Sequence, residues 1–226
     1  MTKYKLTEET KEHEGVILYR IELTKDCQWG KKGDKGGWIE SRDNLGGDAC
    51  VSGNALVYGN AYVSGNAIVY GDARVYGNAQ VYGEARVYGE ARVYGDAQVY
   101  GEARVYGDAR VYGDAWVWGD ACVFGNALVF GYAEVSGDVC VSGNARVYGN
   151  AKVFGCVNIS DKTILISGEW DSIPMYLQLY DGVTMNMSSP GILRIGDKHK
   201  PISEWLEDEG YKYRRYVWIF ADEYGL

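Results

Sequence analysis

The chain has 226 residues, 46% hydrophobic and 24% charged, with a formal net charge of −8. That balance excludes a strongly basic nucleic-acid binder, and the lack of any apolar run long enough to span a bilayer excludes a transmembrane helix. Five cysteines, odd in number and irregularly placed, argue against a disulfide framework and for a reducing cytoplasm. Against 3 prolines stand 31 glycines and 20 tyrosines, an excess that comes from one internal repeat.

Residues 1–44 lack the repeat. Their opening shows no apolar core of a secretory signal. KYKLTEE and VILYRIEL read as strands, and Lys31 to Trp38 (KKGDKGGW) reads as a glycine-rich turn. GDKGG has neither a following helix nor a GK[ST] ending, so it is not read as a phosphate loop. A solenoid carries a raw strand edge at each end, so this segment is expected to be an N-terminal cap.

From Val51 to Asn158 the chain is 18 uninterrupted hexapeptides of the form V-[YSFW]-G-[NDE]-A-x, as in Val81-Tyr82-Gly83-Glu84-Ala85-Arg86. Val opens every unit, Gly is third in every unit, and Ala is fifth in all but two, where Val139 and Val157 stand. Leu45 to Cys50 and Ile159 to Ile164 are weaker copies, so the repeat domain is expected over 45–164. Around Ala73-Arg74-Val75-Tyr76 side chains alternate as in a strand, Ala and Val to one side, Arg and Tyr to the other. Gly77-Asn78 then supplies the unusual backbone angles of a corner. A glycine every six residues is incompatible with a helix. A strand this short cannot bury its apolar side alone, so successive coils must stack, with hydrogen bonds running along the stack at about 4.8 Å per coil.

KYKLTEE, VILYRI, GDKGGWIE and Asn44-Leu45 leading into GNA-V hexads together resemble a family of bacterial and phage-encoded hexapeptide-repeat proteins, transferase-like by fold only. The resemblance implies an all-β, left-handed parallel β-helix with three hexapeptides per coil, about six coils, a cytoplasmic location in a bacterial or phage-infected cell, and a homo-oligomer, with a trimer as first expectation. It carries no reaction.

With 18 residues per coil the outward residues sort into columns. The first face carries Leu56, Arg74, Arg92, Arg110, Leu128 and Arg146 beside Tyr58, Tyr76, Tyr94, Tyr112, Phe130 and Tyr148. The second carries Cys50, Ile68, Arg86, Arg104, Cys122 and Cys140 beside Ser52, Tyr70, Tyr88, Tyr106, Phe124 and Ser142. The third carries Tyr62, Gln80, Gln98, Trp116, Glu134 and Lys152 beside Ser64, Tyr82, Tyr100, Trp118, Ser136 and Phe154. These columns have a structural reading, as aromatic stacks with Arg–Tyr cation–π contacts. They also have a binding reading, since Tyr, Trp and Arg dominate interface hot spots. On the second reading Arg74, Tyr76, Arg92, Tyr94, Arg110 and Tyr112 are candidates for an anionic partner. Tyr82, Tyr100, Trp116 and Trp118, on the face expected to be poorest in charge, are candidates for self-association.

Residues 165–226 hold Pro174, Pro190 and Pro201 and are expected to form a mixed α/β cap or oligomerisation segment. Gly191 to Gly196 reads as a strand, Pro201 to Leu206 as a short helix with Pro in its first turn, and Tyr211 to Glu223 as helix or strand.

Both histidines, His13 and His199, lie outside the repeat, whereas hexapeptide acyltransferases need a His base at a coil surface and carbonic anhydrases of this shape need three. No catalytic residue, metal or cofactor is therefore expected. The chain reads as a non-enzymatic structural or interaction protein. A phage-encoded inhibitor that sequesters a host factor or an anionic nucleotide-like ligand, and an acyltransferase with a nonstandard base, remain the alternatives.

Overall fold

In the computed structural model, residues 3–26, 30–160, 163–170, 176–178, 183–207, 213, 216–217 and 221 are described. Each repeat contributes a two-residue strand, such as Arg92–Val93 or Gln98–Val99. Strands pair in parallel with the strand 18 residues on: Arg74 with Arg92, Arg92 with Arg110, and Gln98 with Trp116. The result is an all-β solenoid of about seven turns; one side stacks seven strands, from Cys50–Val51 to Asn158–Ile159.

The alternation fixes the interior. The repeat valines and alanines from Ala55 to Val153 are essentially inaccessible and form one continuous core. Corners need glycine for two reasons. Gly83 and Gly101 hold φ of +74° and +71°, a region costly for other residues, and a Cβ on Gly83 would stand 3.0 Å from the backbone nitrogen of Gly101. Corner amides then bond upward from turn to turn: the Asn60 amide donates to Asn78 at 3.0 Å, and the Asn78 amide to Asp96 at 3.0 Å.

The N-terminal segment is an antiparallel hairpin, β1 (Tyr4–His13) and β2 (Val16–Leu23), followed by β3 (Lys35–Ile39). The expected turn over Lys31 to Trp38 is thus corrected in its second half. Trp38 pairs with Leu56 and Ile39 with Val57, in parallel, so β3 is itself a rung of the first face. It lacks the V-x-G frame, which hid it. A Cβ on Gly37 would meet Val51 Cγ1 at 2.6 Å, so glycine stands there where the repeat has alanine. A turn at Arg42–Asn44 closes the entry, and the buried Asn44 amide donates to the carbonyls of Gly59 and Ala61 at 3.0 and 2.9 Å.

At the other end β4 (Arg146–Val153) pairs with β5 (Ile164–Trp170). The step there slips from 18 residues at Val147–Leu165 to 17 at Asn150–Ser167, which ends the repeat. An antiparallel sheet follows: β6 (Tyr176–Gln178), β7 (Thr184–Ser189), β8 (Ile192–Ile195) and β9 (Lys198–Pro201), then helix α1 (Ile202–Glu207). Pro201 closes β9 opposite Ile192 instead of entering the helix, whose first residue is Ile202. Met185, Met187, Leu193, Ile195 and Trp205 extend the solenoid core into this cap. Pro174 and most of Tyr211 to Glu223 lie outside the described residues.

Candidate functional site

On the first face Tyr58, Tyr76, Tyr94, Tyr112, Phe130 and Tyr148 form one unbroken stack, with ring centroids 4.7–5.1 Å apart and planes within 5° of parallel. Burial against neighbouring rings pushes the phenols of Tyr76 and Tyr94 above their ordinary pKa. The second face repeats the device from Tyr70 to Phe124, and the third from Tyr82 through Tyr100 to Trp118. Rings therefore pair with rings. Among the described residues no repeat arginine lies over a ring, and the expected Arg–Tyr cation–π pairing does not form; the cation–π contacts are those of Lys11, Arg20 and Lys200 with tryptophans.

Arg74, Arg92 and Arg110 stand one above another, one per turn, at half-exposed to exposed positions beside that stack. Corner acids Asp72, Glu90 and Asp108 precede them by two residues. Among the described residues none of these arginines has a carboxylate within salt-bridge distance. The column is a row of like charges at about 4.8 Å steps without a counter-ion of its own.

The hairpin extends this row, which sequence reasoning missed. Leu18, Trp38, Leu56 and Tyr58 form a small apolar cluster with Val16 and Tyr76, so Leu56 and Tyr58, which face outward from the coil, are buried beneath the hairpin. Lys11 Nζ lies 4.7 Å and the Arg20 guanidinium 4.9 Å from the Trp38 ring centre. Burial, then the charges of Arg20 and Arg74, lowers the Lys11 pKa. The Arg20 Nε is buried without a partner. The first face thus carries a cationic strip from Lys11 and Arg20, across Leu56, to Arg74, Arg92 and Arg110. His13 also lands there, its ring edge-on to Tyr58 at 5.6 Å, while the Tyr58 hydroxyl donates to Glu14 at 3.2 Å. Glu14 has the one positive φ outside glycine among the described residues, +52°.

The third face differs from expectation around Trp116. A hollow of about 370 Å³ is lined by Asp96, Gln98, Asp114, Trp116, Tyr132 and Glu134, so the surroundings are acidic, not poor in charge. Corner side chains, left out of a column-by-column reading of the strands, supply two of the three carboxylates. Tyr132 replaces the Asn, Asp or Glu of the corner position and is 66% exposed; Trp116 is 42% exposed. That break in the repeat was the readable signal for this site.

His199 is far along the chain in β9, 3.3 Å from the Ser188 hydroxyl, its pKa lowered by burial and by Arg194. Among the described residues no three His, Cys, Asp or Glu side chains gather as a metal site. Cys122, Cys140 and Cys156 are free thiols, and Cys27 lies outside the described residues. No described helix is long and apolar enough to cross a membrane.

Stacked two-residue strands around a valine–alanine core define a β-solenoid repeat protein. Residues 49–65, 61–77, 67–83, 85–101 and 103–119 match the YdcK beta solenoid repeat, to which this part of the chain is therefore similar. No curated protein matches the chain in sequence.

Proposed function

We propose that the chain is a non-enzymatic interaction scaffold, a left-handed hexapeptide β-helix of the cytoplasm that binds an extended anionic partner along its first face and self-associates through another. The observation that carries this reading is the in-register column Arg74, Arg92, Arg110, which among the described residues lacks carboxylate partners at salt-bridge distance and is prolonged by Lys11 and Arg20. A rigid row of cations at a fixed repeat suits a ligand with many negative groups, such as a sulfated or phosphorylated chain, better than a single small ion. The free thiols of Cys122, Cys140 and Cys156 support the cytoplasmic assignment. The stacked phenols hold the face flat and stiff, so little ordering is required on binding.

The test is titration with polyphosphate and with a sulfated oligosaccharide, read by calorimetry at low and high salt. We expect binding that weakens as salt rises past about 0.1 M. The R74A/R92A/R110A variant should keep its melting temperature and lose at least about tenfold in affinity, the loss of three charge-assisted contacts. Equal affinity in that variant, or no binding by the wild type at low salt, would sink the proposal.

A further inference from the structure

We infer that the acid–aromatic hollow on the third face receives the arginine column of a second copy of this chain, an interaction that rests on the anion-binding reading of that column. The hollow and the column are complementary in charge. Asp96, Asp114 and Glu134 present three carboxylates, and the cation close by is Lys152, held by Glu134 at 3.2 Å. Its aromatic members suit the same occupant. A guanidinium stacks on indole and phenol faces and pairs with carboxylates at once, which an ammonium does less well. Trp116 has Gln98 and Glu134 as its column neighbours, so among the described residues no ring stacks on it in parallel; Trp118 meets it edge-on, with ring centroids 6.4 Å apart.

The two surfaces also match in pitch. Both are built on the same 18-residue step, so the rise between successive arginines equals the rise between successive acids. Arg92 shares a turn with Asp96, and Arg110 shares a turn with Asp114. Two copies lying side by side with parallel axes and level turns set Arg92 and Arg110 against Asp96 and Asp114. A shift of one turn sets Arg74, Arg92 and Arg110 against Asp96, Asp114 and Glu134. Within one chain no ion pair joins these groups among the described residues.

The contact is heterologous, since each copy offers its column to one neighbour and its hollow to another, so it builds rings or rows and not a two-fold dimer. It also couples assembly to the anionic ligand. A polyanion on the column and a second copy on the column exclude each other, so the ligand disperses the assembly.

Sedimentation velocity of the full chain at low salt tests this, with two charge-reversal variants, D96K/D114K and R92E/R110E. All four positions are half-exposed or exposed, and unchanged thermal unfolding of each variant shows that folding is intact. Two or three exposed ion pairs with guanidinium–aromatic stacking are individually weak, so a dissociation constant on the order of 1 mM is expected. We expect the wild type to associate in that range, with association lost above about 0.5 M salt. Each variant alone should stay monomeric, and an equimolar mixture should associate, because every reversed surface then meets its complement. Addition of polyphosphate should return the wild type to monomers. A monomeric wild type, association of either variant alone as in the wild type, or a monomeric mixture would each overturn the inference. Polyphosphate binding by a wild type that never associates leaves the anion-binding reading standing while this one fails.

Discussion

At a repeat corner, one glycine meets two demands that can be separated by substitution. Gly101 has φ of +71°, and a Cβ there would lie 2.9 Å from the backbone nitrogen of Gly119. Gly33 has φ of +94° and open space around its Cβ position. G33A should cost about 1–2 kcal/mol, the left-handed penalty alone. G101A should cost clearly more, because backbone in the next turn must also move. Chemical denaturation of the two variants checks the order; equal losses would show that the stack yields freely at its corners. The phenols give a second expectation at this scale. Burial raises the Tyr76 and Tyr94 pKa above 10.0 in the fold, while an unfolded tyrosine titrates near that value. The folded state therefore holds its phenolic protons longer. Its stabilisation is whole below about pH 10 and is lost as pH rises through the higher folded values. Melting temperature should fall above that point, and tyrosinate absorbance should grow in along with unfolding. Ionisation of Tyr76 or Tyr94 near the ordinary pKa in a chain still folded would contradict their stacked burial.

Elements that follow the V-x-G frame were open to reading, and those that pack by other means were not. Val81 and Ala85 announce their burial because each recurs at a fixed place with glycine beside it, and no helix tolerates that spacing. Ile39 occupies the same place in its turn, yet neither valine nor the third-position glycine marks it, so β3 looked like a turn. The landing of β1 and β2 on Leu56 and Tyr58 depends on Leu18 and Trp38 closing an apolar patch with them, a contact between residues far apart that period alone does not encode. The candidate site divides the same way. The arginine column was legible by counting in eighteens; Lys11 and Arg20 were not. Leu18 is fully buried in that patch, so L18D places a charge where none can be solvated. We expect the hairpin to detach while the solenoid remains: protease should cut within residues 1–26 under conditions that spare the wild type, with the main thermal transition largely kept. Loss of the whole fold would show that the hairpin is part of the nucleus that holds the turns and not a cover laid on them.

For the whole molecule the turn, not the hexapeptide, is the unit that conserves its surfaces. Every rung contributes the same valine–alanine interior, so neighbouring turns supply nearly interchangeable core contacts. Removing residues 85–102 takes out one turn. Arg74 then lies under Arg110 and Tyr76 under Tyr112, and each later residue keeps its face. Removing only 79–84 also leaves the alternation of valine and glycine intact, so the interior still closes, but every later column moves to the next face. Gln98 would stand over Arg74, and Arg92 and Arg110 would both leave the row. Both deletions should fold, with a cooperative thermal transition and an unchanged β-rich circular dichroism spectrum. They should differ in binding. The one-turn deletion should retain polyphosphate binding weakened by about the share of one arginine, a few-fold, whereas the six-residue deletion should lose most of it. Equal binding by the two would mean that overall composition, and not an aligned row of guanidinium groups, attracts the anion; an unfolded one-turn deletion would mean that the turns are not equivalent and that the caps demand one particular length between them.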